Sequence, residues 1–137
     1  MKSLALELLT PEHHSHWQVR YLSLDDTLGR FGIQPGHQPF LTPLQRSVGY
    51  FEDIEGVRHF LAHDSGILRV EIGGRVFLMA RVILIGPSLQ VLEQELDERI
   101  RQVELGSEMM RENIHNLQKT LLKQILSLDT HLLKGIV

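Results

Sequence analysis

Gly66-Ile67-Leu68-Arg69-Val70-Glu71-Ile72-Gly73-Gly74-Arg75-Val76-Phe77-Leu78-Met79-Ala80 alternates apolar and polar side chains on both sides of a glycine pair. In an extended chain successive side chains point to opposite faces. Leu68, Val70 and Ile72 therefore share one face of a first strand. Val76, Leu78, Ala80, Val82 and Leu84 share one face of a return strand that continues to Ile85. Gly73-Gly74 supplies the tight turn, because glycine reaches positive φ without a Cβ clash. The reading is a β-hairpin and, with it, an antiparallel sheet.

The same period appears upstream. Ser3-Leu4-Ala5-Leu6-Glu7-Leu8 puts Leu4, Leu6 and Leu8 on one face. Trp17 to Leu24 reads as a strand with Trp17, Val19 and Tyr21 on one side, turned by Asp25-Asp26-Thr27. Val57 to Ala62 is a further strand. Short strands at close spacing suit an antiparallel sandwich or barrel. Nine of the eleven glycines lie in residues 1–86, and all five prolines lie at or before Pro87. A boundary is expected at Gly86-Pro87.

Beyond it the period changes. Leu89, Leu92, Leu96, Ile100 and Val103 follow helical spacing, with Ser88 as the expected N-cap. Gly106 is expected to end this helix and Ser107 to cap a second. Met110, Ile114, Leu117, Leu121, Ile125, Leu128 and Leu132 form the stripe of that second helix. The fold class expected is α+β: a β-sandwich or barrel over 1–86, then an antiparallel two-helix hairpin over 87–137. Two helices bury only one seam, so the hairpin is expected to lean on the sheet or on a partner.

Composition removes several function classes. The 137 residues carry 14 Lys+Arg and 17 Asp+Glu, a net charge of −3. Charge does not change at Gly86: 8 basic and 9 acidic residues precede it, 6 and 8 follow. A nucleic-acid-binding module would carry a basic excess. Cysteine is absent, which excludes disulfides and thiolate metal sites. The apolar run ending at Leu84-Ile85-Gly86-Pro87 is broken upstream by Arg81, far short of the roughly 20 residues a membrane helix needs. Met1-Lys2-Ser3-Leu4, followed by Glu7, does not read as a signal peptide.

No catalytic constellation emerges. His13-His14-Ser15-His16 reads as a solvated turn. His59 and His63 on one strand would stand about 13 Å apart, too far to chelate one ion. Ser65 lacks the Gly-x-Ser-x-Gly elbow. Asp25-Asp26 and Glu52-Asp53 sit beside turn signals. Gly29-Arg30-Phe31-Gly32 has no following helix that would make it a phosphate loop. Two alternatives stand beside a non-enzymatic reading. One is a small metal-binding sandwich enzyme using His13, His14, His16 and His59. The other is a coiled-coil adaptor that self-dimerises through the 110–132 stripe.

Phe31-Gly32-Ile33-Gln34-Pro35-Gly36-His37-Gln38-Pro39-Phe40-Leu41-Thr42 reads as a loop of defined shape, displaying Arg30, Phe31 and His37. This run resembles the Gly-Ile-x-Pro-Gly-His turn of the epsilon subunit of F-type rotary ATP synthases. Ser65 to Val70 with Val76 to Ala80 is similar to a hairpin of that family, and the order of sheet then helices fits along essentially the whole chain.

The resemblance implies a non-catalytic central-stalk subunit, without a cofactor, that couples ion transport to ATP synthesis and hydrolysis. The implied partners are the gamma subunit and the polar loops of the c-subunit ring, with the catalytic alpha and beta subunits reached through the C-terminal helices. The implied place is peripheral, on the cytoplasmic face of a bacterial plasma membrane. Arg30, Phe31, Gln34, His37 and Gln38 match the turn that meets the c ring and the base of gamma. Arg30 stands where the family often has an acid. Arg99, Arg101, Arg111, Lys119 and Lys123 are the cations by which the helices would meet the catalytic subunits and inhibit hydrolysis. ATP-binding members carry an acid at the end of the last strand, where this chain has Arg81. Their helical Asp-x-x-Arg-Ala motif is replaced by Asp97-Glu98-Arg99-Ile100. Asp97 and Arg99 lie about 200° apart on a helix, so no regulatory ATP binding is expected. These departures point to an alternative bacterial ATPase.

Overall fold

The computed structural model describes residues 2–136, with side chains described as far as Ser127. Nine strands are assigned among the described residues: β1 Leu4–Leu9, β2 His14–Asp26, β3 Gly29–Ile33, β4 Phe40–Leu44, β5 Ser47–Asp53, β6 Arg58–His63, β7 Gly66–Val70, β8 Arg75–Ala80 and β9 Ile83–Gly86. A single helix, α1 Leu89–Ile136, follows. The strands form one sheet in the order β4-β7-β8-β1-β2-β5-β6-β9, with β3 on β2. Packing divides the chain into two units, Met1–Ile100 and Arg101–Val137.

The hairpin at 66–80 forms in the expected register, Leu68 opposite Leu78 and Val70 opposite Val76. Gly73 and Gly74 take φ of 91° and 84°. The Glu71 N–H donates to the Arg75 carbonyl at 2.8 Å. Ile72 does not join the inner face. It sits in the turn, 83% exposed. One pairing departs from an all-antiparallel sheet: β1 and β8 run parallel, from Ala5 opposite Arg75 to Leu9 opposite Met79.

Strand β2 is long because it serves both layers, pairing β1 with its first half and β5 and β3 with its second. The register shifts between Val19 and Tyr21. Such a bulge adds one residue and moves the following side chains to the other face. Val19 is buried, and then Leu22 and Leu24 face the core rather than Tyr21. Leu4, Leu6, Leu8, Phe51, Leu61, Leu68, Val76 and Leu78 complete the centre of that core. Phe51 is fully buried, with Trp17 tilted against it at 5.0 Å and His59 stacked on it at 5.1 Å. His59 Nε2 lies 2.9 Å from Asp53 Oδ2, and this hydrogen bond holds the Asp53 carboxyl below the usual value.

The expected return strand to Ile85 is instead two strands. β8 pairs β7 and β1, whereas β9 pairs β6. The crossing at Arg81-Val82 is pinned by Asp64, whose carboxylate accepts from Arg81 Nε at 2.9 Å and from Ser65 N–H at 2.7 Å. The Asp64 N–H in turn donates to the Val82 carbonyl at 3.1 Å.

His63 beside it is fully buried, its Nδ1 2.7 Å from the Asp64 carbonyl and its Nε2 3.4 Å from Ser47 Oγ. Burial pushes its pKa below the ordinary 6.5, against the opposing pull of Asp64 and Asp25. The unfolded state therefore binds the proton more tightly. Stability is complete above about pH 6.5 and falls as the pH drops below it. Urea midpoints between about pH 8 and pH 5 should show this acid-side loss, and His63→Gln should flatten it.

The C-terminal expectation is corrected. No hairpin forms at Gly106-Ser107, since both residues lie inside the continuous helix α1. One glycine costs a helix only about 1 kcal/mol relative to Ala, and no proline follows Pro87. Ser88 holds the cap position, its carbonyl accepting from the Leu92 N–H at 3.2 Å. Leu92, Leu96 and Ile100 are buried in the unit Met1–Ile100, and Leu92 packs over Gly86. Met110, Ile114, Leu117, Leu121 and Ile125 are exposed. Leu128 and Leu132 lie outside the residues whose side chains are described. Among the described residues no helix is long and apolar enough to cross a membrane.

Candidate functional site

Residues 29–42 are less loop than the sequence suggested. Gly29 to Ile33 form β3 against β2, and Phe40 opens β4. Between them Gln34-Pro35-Gly36-His37 closes a turn, the His37 N–H donating to the Gln34 carbonyl at 3.1 Å. Pro35 fixes the second position and Gly36, at φ 89°, takes the third, the residue order of a type II turn. Ile33, fully buried, anchors the turn to the core.

A Cβ at Gly32 would run into the Tyr21 hydroxyl, so this glycine lets the Tyr21 ring lie across β3. Tyr21, Gly32, Gln34, Pro35, Gly36 and His37 line a shallow cleft of about 460 Å³. On its other side the same turn borders a cleft of about 310 Å³ lined also by Lys2, Ser3, Gly73 and Gly74. The turn, the first residues and the 66–80 hairpin loop thus meet at one end of the sandwich. Sequence reading missed Tyr21 and the 73–74 loop as neighbours of this turn. A glycine inside a strand was the available signal of a close approach.

The expected contact residues divide into two groups. Gln34, His37 and Gln38 are exposed on the turn. The His37 ring lies 5.0 Å from Phe40, with Nδ1 2.7 Å from the Gln38 carbonyl. Phe31 is partly buried, edge-on to Phe40 at 6.0 Å. Arg30 is exposed as well, with its guanidinium held by neighbouring strands. Its guanidinium donates to Ser23 Oγ at 3.0 Å, to the Val48 carbonyl at 3.2 Å and to Asp25 at 3.3 Å.

The helix cations Arg99, Arg101, Arg111, Lys119 and Lys123 are all exposed. Arg81 and Asp97, the positions weighed for nucleotide binding, are engaged within the chain, Arg81 with Asp64 and Asp97 with Arg46. The histidines of the metal alternative are dispersed. His14 lies 3.5 Å from Glu7, His16 bonds Gln18, His13 closes a turn with Thr10, and His59 pairs with Asp53. Among the described residues no three such side chains gather to hold a metal ion.

Residues 3–85 match the family described as ATP synthase, Delta/Epsilon chain, beta-sandwich domain. The chain belongs to this ATP synthase family. An ATP synthase epsilon chain 2 of Paraburkholderia xenovorans is 40% identical over 76 residues, 56% of this chain and 55% of that one. The chain thus spans about half the length of that delta/epsilon relative. An epsilon chain 2 of Cereibacter sphaeroides is 33% identical over 114 residues, 80% of this chain and 74% of that one. Among solved structures, a chain of the Euglena gracilis mitochondrial ATP synthase (OSCP/F1/c-ring) is similar with a TM-score of 0.59 at 17% identity. That likeness covers 70% of this chain and 62% of that chain. At such identity it shows the fold alone, the delta/epsilon sandwich.

Proposed function

We propose that this epsilon-family chain is a non-catalytic central-stalk subunit of an F-type ATP synthase. The observation that carries the reading is the family match over residues 3–85. The rigid Gln34–Gln38 turn of that sandwich adds a surface suited to docking. Gln34, His37 and Gln38 offer hydrogen-bond donors and acceptors to the polar loops of the c ring and the base of gamma. Arg30, exposed and held by Asp25 and Ser23, and Phe31, edge-on to Phe40, extend that surface along β3.

Residues 1–86 are the docking domain and residues 87–137 the regulatory one. Arg99, Arg101, Arg111, Lys119 and Lys123 would meet the catalytic alpha and beta subunits and restrain hydrolysis. A second pose, folded at Gly106-Ser107 into a hairpin, is supported by the low helix propensity of that pair. The place is peripheral, on the cytoplasmic face of a bacterial membrane. The designation "epsilon chain 2" of two relatives supports an alternative ATPase set.

The test is co-purification of the tagged chain from detergent-solubilised membranes. Gamma and c subunits should accompany it. Deletion of residues 101–137, which spares the buried Leu92, Leu96 and Ile100, should leave that assembly intact and raise its ATP hydrolysis severalfold. Purification without gamma would remove the stalk role. Unchanged hydrolysis would remove only the inhibitory one.

A further inference from the structure

We propose that the first three turns of α1, Leu89 to Ile100, are a fixed part of the sandwich domain, and that regulatory movement begins only beyond Ile100. The inference rests on the two-pose reading above and places its pivot. Leu92, Leu96 and Ile100 recur every fourth residue and are 3%, 2% and 6% exposed. At 100° per residue they span an arc of about 80°, one narrow stripe turned to the sheet. Beyond Ile100 no described side chain is buried, as far as Ser127. The boundary between the two packing units falls at the same point, between Ile100 and Arg101. The helix thus outlasts its own contact with the sandwich.

Two features of the sandwich fit this stretch. Gly86 ends β9 without a Cβ where Leu92 comes closest; one built there would stand 3.2 Å from Leu92 Cδ2 and 3.5 Å from its Cγ. Arg46, just before β5, pairs with Asp97 on the flank of the stripe. Glu93 lies one turn before Asp97 on the same flank. With Leu96, Arg46 and Val48 these two acids border a cleft of about 340 Å³. Leu92 therefore rests on β9 and Leu96 beside β5, two strands with β6 between them. The apolar stripe resists lifting of the helix. The Arg46–Asp97 pair is open to solvent and adds little stability, but it sets the rotation of the helix about its axis.

A hinge at Gly86-Pro87 would strip all three apolar side chains from the sheet at once. A bend between Arg101 and Ser107 exposes no buried side chain, and Gly106 lowers the helix propensity there. The docking domain then ends at Ile100 rather than at Gly86. Arg99 keeps its place in both poses, while Arg111, Lys119 and Lys123 travel.

The chain has no cysteine, so spin labels on introduced pairs can measure this in the assembled complex, in ADP alone and during ATP hydrolysis. Glu55, Glu95 and Gln118 are exposed. Glu55→Cys with Glu95→Cys should give one narrow distance, the same in both conditions. Glu55→Cys with Gln118→Cys should shift, or split into two populations, by more than about 10 Å, since residue 118 stands about 27 Å along the helix from Ile100. Arg46→Cys joined to Asp97→Cys by a short bismaleimide should leave the rate of ATP hydrolysis unchanged. A near pair that moves, or a bridge that alters hydrolysis, would overturn the proposal and leave the two-pose reading standing. A far pair that never moves would overturn both.

Discussion

Phe51→Ala is expected to remove about 3–5 kcal/mol of folding stability, a large share of the roughly 5–15 kcal/mol that a domain holds. Phe51 is fully buried in β5, between Trp17 on β2 and His59 on β6. Truncation removes its contacts with both rings and opens a cavity in a sheet whose strands are fixed by their register, so collapse cannot fill it. Trp17 is the only tryptophan and lies 5.0 Å from the deleted ring. Its fluorescence should therefore report both the loss of packing in the folded state and the lowered denaturant midpoint. A stability loss below about 1 kcal/mol from the midpoint shift would mean that the two layers do not share this core.

Asp64→Ala is expected to remove about 2–4 kcal/mol. Asp64 is 5% exposed where the chain crosses from β6 to β7. Its loss leaves the Ser65 N–H without that acceptor and takes from Arg81 both bonds, at 2.9 Å and 2.7 Å. Arg81 is half exposed, so water recovers part of its loss, which keeps the figure below that of a wholly buried pair. Asp64→Asn keeps an oxygen for Ser65 and should cost less. Equal destabilisation by the two would place the value in the charge rather than in the turn geometry, and chemical denaturation separates them.

Much of the sandwich was legible because its strands alternate. β1 and the β7–β8 pair follow from period two alone. β4 and β5 were missed because each contains a residue that usually breaks strands. Pro43 is tolerated because β4 pairs only with β7, so the missing N–H faces no second neighbour. Gly49 is required, since a Cβ there would run into the Ser23 carbonyl of β2. The bulge beside Arg20 left no mark in the alternation, and it moved Tyr21 out of the core and over Gly32.

The single helix was legible after all. Val103 to Met110 is seven residues, two turns, so the stripes before and after Gly106 lie in phase on one face. A hairpin carries no such requirement. Of the candidate site, the Pro35-Gly36 turn was readable from residue types. The restraint of Arg30 by Asp25, Ser23 and Val48 was not, because those partners come from two other strands.

The parallel contact of β1 with β8 sets an order in time. β1 is made first, yet one of its two edges stays open until Arg75 to Ala80 have been synthesised. At about 5–20 residues per second that exposure lasts on the order of several seconds. β1 and β2 can pair at once, but the sheet cannot close before the last hairpin arrives. The earliest residues thus wait for the latest strands, and the nascent chain carries an unprotected strand edge throughout. Slow release from the ribosome, or a holding chaperone, should therefore raise the yield of folded subunit more than faster synthesis would.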